Sequence, residues 1–248
     1  MIDQPIIHDR HIVKEAFQQI IDTNEYKNAF SKPDNLTIVT VRNEGSMEDR
    51  LIPKMLEYKY NSILEANLKY LGIQPLVVLT DSRLPWRNTF KFEMILNYLN
   101  SGGCDTEYFM FCDAIDVIFK DRPEKVIEIF EKSNCDALFM STHSTDGYSC
   151  MPDVKENIDK INGGNGRYLN SGVYIGRTSF IKEIFEEAIK YAIPHGVTMS
   201  EYYDWLKTNP KDYPKGSQDQ DIFRFLEPKF YPRLKVDYDN KMAYRHGS

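Results

Sequence analysis

The sequence has few of the features that mark extracellular, membrane-spanning or nucleic-acid-binding proteins. It has four cysteines in 248 residues and no CxxC pair, so we expect neither a disulfide framework nor a zinc knuckle. No run of 18 apolar residues predicts a membrane span. The net charge is −6 without a basic stripe, which argues against a nucleic-acid partner. The opening residues, MIDQPIIHDRHIVKEAF, lack the apolar segment of a signal peptide, and we therefore expect a cytoplasmic protein.

Segments typical of strands and helices alternate along the chain. Strands are predicted at 36–41, 75–80, 108–112, 137–141 and 171–176. Helices are predicted at 10–22, 51–71, 90–99, 123–133 and 178–193, and another begins near Gln218. The segment 142–166, rich in small polar residues, is predicted to be a long loop. The alternation indicates an α/β fold with a central, mostly parallel sheet flanked by helices.

Ligands of such sheets bind beyond the carboxyl ends of the strands, so the residues that follow each strand are the first candidates for a site. These positions are 41–44, 80–83, 113–116 and 141–143. His143, in the last of these, is interpreted as a surface histidine. Trp86 and Trp205 could stack on sugar rings, although core packing is the ordinary role of tryptophan.

Two aspartates stand in the most apolar stretch of the chain, YFMFCDAIDVIF (108–119). In a continued strand Asp113 and Asp116 would lie on opposite faces, about 10 Å apart. A turn at residues 114–115 would bring the two carboxylates together, where they would repel each other without a cation between them. Carboxylate oxygens suit Mn²⁺ or Mg²⁺, which could bridge the phosphates of a nucleotide. Alternatively, Asp113 caps a turn and Asp116 is solvated.

The segment FMFCDAIDVIF resembles the metal-binding segment of GT-A glycosyltransferases. It is most similar to the glycosyltransferase domain of procollagen lysyl hydroxylases and to the related collagen-type galactosyl- and glucosyltransferases. Further segments resemble this family in the same order: LTIVTVRNE (36–44), RYLNSGVYIGRTSFI (167–181), DQDIFRFLEP (219–228) and LKVDYDNKMAY (234–244). The resemblance implies a GT-A (Rossmann-like) fold that transfers glucose or galactose from a UDP-sugar to a hydroxyl of a glycan or protein, with Mn²⁺ or Mg²⁺.

The resemblance also implies a division of the chain and a set of donor-site residues. We expect a single domain over 1–248, with an N-terminal helical extension (1–35), a nucleotide-binding half (36–120) and an acceptor-side half (121–248). Thr40, Val41 and Glu44 would hold the uracil. Lys91 would offset the charge of the diphosphate, with Arg87 as a weaker alternative, helped by the helix N-terminus beside it.

Other residues would surround the sugar and the cation. Asn170, Ser171 and Gly172 would contact the donor sugar, and Gln220 would lie beside them. Asp219 would act as the general base of an inverting enzyme, or would stabilise the transition state of a retaining one. The family has a run of aspartates where this chain has SQDQD (217–221). Its third metal ligand comes from a His-Gly segment near the C-terminus, for which His246 is the candidate here.

Two other interpretations remain open from the residues alone. A haloacid-dehalogenase-type phosphotransferase also places an aspartate pair after a strand, but it needs the second acid two residues on, where Ile115 stands. A sugar-nucleotide or glycan-binding domain without activity could share the fold while lacking a complete site.

Overall fold

The computed structural model describes residues 4–9, 11–43, 62–83, 86–145, 147–148, 151–192, 201 and 218–245. Its strands are β1 (Ile6–His8), β2 (Leu36–Asn43), β3 (Val77–Asp81), β4 (Tyr108–Cys112), β5 (Val117–Phe119), β6 (Ala137–Thr142), β7 (Tyr168–Arg177), β8 (Leu234–Asp237) and β9 (Ala243–Tyr244). Its helices are α1 (Val13–Thr23), α2 (Ile63–Leu71), α3 (Phe90–Asn100), α4 (Pro123–Lys132), α5 (Pro152–Ile161), α6 (Thr178–Ala188) and α7 (Asp219–Phe230).

A six-stranded sheet in the order β3-β2-β4-β7-β6-β8 forms the centre of the fold. Strand β7 runs antiparallel to β4 and β6, whereas the other neighbouring pairs are parallel. The prediction of a mostly parallel sheet flanked by helices is confirmed, and the arrangement is consistent with the GT-A fold. Because β7 runs in the opposite direction, its first residues lie at the edge where β2, β3 and β4 end.

The sheet is buried on both faces because its central strands are apolar throughout. In β4 the side chains alternate: Tyr108, Met110 and Cys112 belong to the core under α1, α2 and α4. Phe109 and Phe111 belong to the core under α3, α6 and α7. Burial of a large apolar side chain stabilises the fold by roughly 1.5–3 kcal/mol, so both layers hold β4, and the turn that follows it, firmly in place.

A second, three-stranded sheet in the order β5-β1-β9 was not predicted. Strand β1 pairs antiparallel with β5 and parallel with β9, so Ile7 lies between Ile118 and Tyr244. Strands of two or three residues are too short to show a periodic pattern, so hydrophobic periodicity does not predict them. The pairing places His8 opposite Val117, directly after the second aspartate of the motif.

Two sequence predictions need correction. The segment 1–35 contains α1, but it also contains β1 and is therefore not a purely helical extension. The segment 142–166, predicted as a loop, contains α5, which begins with Pro152 and buries Ile158 against the tyrosine pair Tyr148 and Tyr168. Its single buried apolar position among many polar residues explains why the helix escaped notice.

None of the helices in the described ranges is both long and apolar enough to cross a membrane.

Candidate active site

A cavity of about 540 Å³ opens at the edge of the main sheet where β2 and β4 end. Its lining comes from both halves of the chain, because β7 and α7 bring later residues to the same edge. The lining includes His8, Val41, Arg42, Asn43, Trp86, Arg87, Asn88, Lys91, Asp113, Ile115, Asp116, Asn170, Ser171, Gly172, Gln218, Asp219, Gln220 and Arg245. A cavity of this size lies within the range that accommodates small-molecule ligands.

A tight turn joins the two aspartates, which is the arrangement that brings their carboxylates together. Residues 114–116 form the turn between β4 and β5. Backbone hydrogen bonds fix it from three separate segments: Asp113 N donates to Gly172 O (2.8 Å), Leu64 N donates to Ala114 O (3.1 Å) and Asp9 N donates to Asp116 O (2.9 Å). The two carboxylates are therefore held by the fold, and their proximity does not depend on a bound cation.

An irregularity in β7 shapes the opposite wall of the cavity. The register with β6 shifts between Phe139, which pairs with Tyr174, and Met140, which pairs with Asn170. Residues 171–173 therefore bulge from the β6 side of the ladder, as strands often do beside active sites. Asn170 is locked by two bonds: its Oδ1 accepts from Gly172 N (2.9 Å), and its Nδ2 donates to Gln220 Oε1 (2.9 Å).

Lys91 bridges the two walls. Its Nζ lies 2.8 Å from Asp113 Oδ1 and 3.1 Å from Asp219 Oδ2, and it sits 5.2 Å from the centre of the Phe111 ring. Burial lowers the pKa of Lys91, but the two carboxylates outweigh it and raise the pKa above its ordinary value. Burial alone would raise the pKa of Asp113, whereas Lys91 and then His8 lower it to about 2. Lys91 is therefore cationic and Asp113 anionic near neutral pH.

His8 completes a group of three possible metal ligands. Its Nε2 lies 3.8 Å from Asp113 Oδ2 and 3.6 Å from Asp116 Oδ2, and one ligand atom from each residue falls within 4.8 Å of the others. His8 is buried, and its Nε2 has no hydrogen-bond partner among the described residues. One imidazole nitrogen and two carboxylate oxygens form a donor set that fits a divalent cation, and the nitrogen favours Mn²⁺ over Mg²⁺, which prefers oxygen.

Most of the predicted donor-site residues that the structure describes line this cavity, but Thr40 does not. The Thr40 side chain is fully buried, and its hydroxyl donates to Cys112 O (2.7 Å) within the sheet. Glu44, His246 and Trp205 lie outside the described residues. Arg87, the alternative to Lys91, is buried at the cavity and lies 5.8 Å over the Phe90 ring.

Of the other residues considered in the sequence, Trp86 lies at the cavity and His143 lies at the surface. Trp86 lines the cavity, where it packs edge-on against Phe90 and donates to Asn88 Oδ1 (3.2 Å). His143 is exposed, with Nδ1 2.8 Å from Gly166 O. No described residue of 142–166 lines the cavity.

His8 and Arg245 are the cavity residues that sequence reasoning missed most completely. The Arg245 guanidinium lies 3.5 Å from His8 Nδ1, so the two ends of the described chain meet at the site. The only sequence signal was the apolar pair Ile6-Ile7 before His8, which is compatible with a short strand but also with a helix or a loop.

Comparison with known proteins identifies the family. No curated protein matches the chain significantly. Residues 34–191, more than half of the chain, match the family described as "PLOD GT domain", the glycosyltransferase domain of procollagen lysyl hydroxylase. The match spans β2 to α6 and thus includes the aspartate turn, Lys91 and the β7 bulge. The chain belongs to this family of glycosyltransferase domains.

Proposed function

We propose that the protein is a metal-dependent hexosyltransferase that moves glucose or galactose from a UDP-sugar to a hydroxyl of a glycan or of a protein-linked acceptor. The observation that supports this most directly is the pair of carboxylates of Asp113 and Asp116, held at the end of β4 beside the cation of Lys91. A nucleotide diphosphate with a divalent cation requires both negative and positive protein groups in one cavity.

The donor end of the cavity suits a nucleotide diphosphate. When bound, Mn²⁺ would neutralise the diphosphate and stabilise it as a leaving group. Lys91, in the first turn of α3, offers a second positive charge, and the α3 N-terminus adds to it. Val41, two residues before the end of β2, offers an apolar surface for the base. Arg87 lies on the same wall as a further cation.

The acceptor end is organised by Asp219 and Asn170. In the reaction, a bond forms between the acceptor oxygen and the sugar carbon, and the bond from that carbon to the diphosphate breaks. In an inverting enzyme, Asp219 takes the proton of the acceptor hydroxyl. In a retaining enzyme, Asp219 stabilises the positive charge on the sugar, and the proton leaves on UDP. Asn170, locked by Gly172 and Gln220, is positioned to bind sugar hydroxyls in either case.

Calorimetric titration of UDP, with and without Mn²⁺, tests the donor site. We expect UDP binding that requires Mn²⁺ in the wild type and is lost in Asp113→Asn/Asp116→Asn. The matched control is Asp105→Asn/Asp153→Asn, which removes two exposed charges outside the cavity and should bind as the wild type does. Absence of UDP binding in the wild type with Mn²⁺ would refute the proposal.

Hydrolysis of UDP-glucose and UDP-galactose separates an enzyme from a binding domain of the same fold. Many transferases pass the sugar slowly to water when no acceptor is present, so we expect Mn²⁺-dependent release of UDP from at least one of the two donors. Tight UDP binding without any hydrolysis or transfer would favour the non-catalytic interpretation. Phosphate release by a haloacid-dehalogenase route is disfavoured because Ile115 stands where that chemistry needs an acid.

A further inference from the structure

We propose that His8 is the third protein ligand of the divalent cation, and that strand β1 is therefore a component of the metal site. This inference rests on the proposed metal-dependent function. It assigns to the beginning of the chain a role for which the sequence had suggested His246.

The first argument is the position of an unsatisfied nitrogen. His8 is 4% exposed, and its Nε2 has no hydrogen-bond partner among the described residues. The separations of 3.8 Å and 3.6 Å from the Asp113 and Asp116 oxygens are too long for hydrogen bonds, which for charged partners measure about 2.7–2.9 Å. Ligand atoms about 2.1 Å from one octahedral ion lie about 3.0 Å apart when they are neighbours and about 4.2 Å apart when they are opposite. The observed separations fall between these two values, so small side-chain movements would bring the three groups to a shared cation.

The second argument is that the backbone holds His8 at this position independently of any ion. Strand β1 is hydrogen-bonded on both sides, by β5 and by β9. Lys120 N donates to Pro5 O (2.8 Å) at one end, and Asp9 N donates to Asp116 O (2.9 Å) at the other. Asp9 Oδ1 also accepts from His11 N (2.7 Å), which fixes the turn into α1. The residue after His8 is thus bonded to the backbone of a proposed ligand.

The third argument is the space that Gly172 leaves for the imidazole. A Cβ at residue 172 would lie 2.4 Å from His8 Nε2 and 3.0 Å from Asp113 Oδ2. Only glycine at this position of β7 lets the ring and the carboxylate approach each other. Three segments that are distant in sequence therefore surround Nε2 of His8: β1, the turn after β4, and β7.

The competing interpretation is that a protonated His8 merely neutralises the two carboxylates. The Arg245 Nη1 atom lies 3.5 Å from Nδ1, a contact too long to fix which ring nitrogen carries the proton. A purely neutralising His8 would compete with the cation, so its removal would preserve or strengthen metal binding. If His8 is a ligand, its removal weakens metal binding. The direction of the change in metal affinity therefore distinguishes the two interpretations.

The deciding experiment measures Mn²⁺ binding to the full chain without nucleotide, by the electron paramagnetic resonance signal of free Mn²⁺. We expect His8→Gln to weaken Mn²⁺ binding at least tenfold, since even the loss of outer-shell partners costs about 10–100-fold. His11→Gln is the matched control, because His11 is an exposed histidine three residues along and only its backbone contacts Asp9. It should bind Mn²⁺ as the wild type does.

Electron spin-echo modulation from ¹⁴N identifies the ligand directly. The wild type bound to Mn²⁺ should show coupling to an imidazole nitrogen, which His8→Gln abolishes and His246→Gln retains. Gly172→Ala keeps the histidine but displaces its ring, and should therefore also lose the coupling. Because two different variants are expected to lose it, a folding defect in His8→Gln alone would not explain the result. Unchanged Mn²⁺ affinity in His8→Gln, or coupling lost only in His246→Gln, would overturn the inference while leaving the proposed function intact. A wild type that binds no Mn²⁺ would overturn both.

Discussion

Lys91 and Asp219 form a largely buried ion pair, with 3.1 Å between Nζ and Oδ2, that joins the two walls of the cavity. The same ammonium group lies 2.8 Å from Asp113, so one cation is shared between a proposed metal ligand and the proposed catalytic carboxylate. A diphosphate that binds to Lys91 would compete with Asp219 for the Lys91 ammonium group. Binding of the donor would then leave Asp219 available to the acceptor hydroxyl.

Substitution of Lys91 should affect the metal and the nucleotide in opposite directions. In Lys91→Met the carboxylates of Asp113 and Asp219 lose a neutralising charge, so Mn²⁺ affinity without nucleotide should rise. UDP affinity in the presence of Mn²⁺ should fall by about 10–100-fold, because a charge-assisted contact to phosphate contributes on the order of 1.5–3 kcal/mol. Calorimetry measures both. Lys132→Met, at an exposed lysine on α4, is the control, and a parallel loss of both affinities would contradict this assignment.

Asp219→Asn should reduce turnover far more than donor binding. If Asp219 acts on the acceptor hydroxyl or on the sugar, its loss should lower kcat by about 10²-fold or more. The Kd for UDP with Mn²⁺ should change by less than about tenfold, because we propose that other groups bind the donor phosphates. Asp221→Asn, in the first turn of the same helix, controls for the change of charge at the α7 N-terminus. A loss confined to UDP affinity would make Asp219 a binding residue.

Thr40 is expected to stabilise the sheet without contacting the nucleotide. Its hydroxyl donates to Cys112 O, the carbonyl directly before Asp113. Thr40→Val should lower the free energy of unfolding by about 1–2 kcal/mol, because a buried acceptor loses a partner. UDP affinity should stay within twofold of the wild type. Thr80→Val makes the same chemical change at an exposed strand position and should be nearly neutral. A selective loss of UDP affinity in Thr40→Val would restore the uracil contact that the sequence suggested.

The aspartate turn illustrates what the sequence alone could predict. The strand 108–112 is continuous and apolar, and its predicted bounds coincide with β4. A polar residue that follows such a strand lies at the ligand-binding edge of a parallel sheet, and this holds for different connections of the remaining elements. The roles of Lys91 and Asn170 came from the family resemblance and not from this rule, because Lys91 opens a helix and Asn170 precedes a predicted strand.

His8 illustrates what local patterns could not predict. Its place at the cavity depends on the pairing of β1 with β5 and β9, which are distant in sequence and only two or three residues long. Such strands carry no period, and their register is fixed by contacts that exist only in the folded chain. The Cys112–Thr40 bond is similar, since no sequence pattern reveals that a hydroxyl is already used inside the sheet.

Glu227 provides a test of the buried polar cluster behind α7. It is 1% exposed, and Tyr238 OH donates to its Oε1 (2.8 Å). Burial raises the pKa of Glu227 from 4.5 to about 7, although the Tyr238 hydrogen bond and the charge of Arg224 oppose the change. Between these two pH values the folded chain keeps a proton that the unfolded chain has lost.

The free energy of unfolding should therefore fall as pH rises from about 4.5 to 7, by up to about 3 kcal/mol from this group alone. Glu227→Gln removes the titration and retains an oxygen that accepts from Tyr238. The free energy of unfolding of the variant, compared with that of the wild type, should therefore increase by most of that amount between pH 5 and pH 8. Urea unfolding at a series of pH values measures the difference.

Asp237, whose pKa burial also raises, contributes equally to both chains and cancels. Glu186→Gln, at an exposed position on α6, should run parallel to the wild type. If Glu227→Gln also ran parallel, the carboxylate would be charged throughout and stabilised by Arg224.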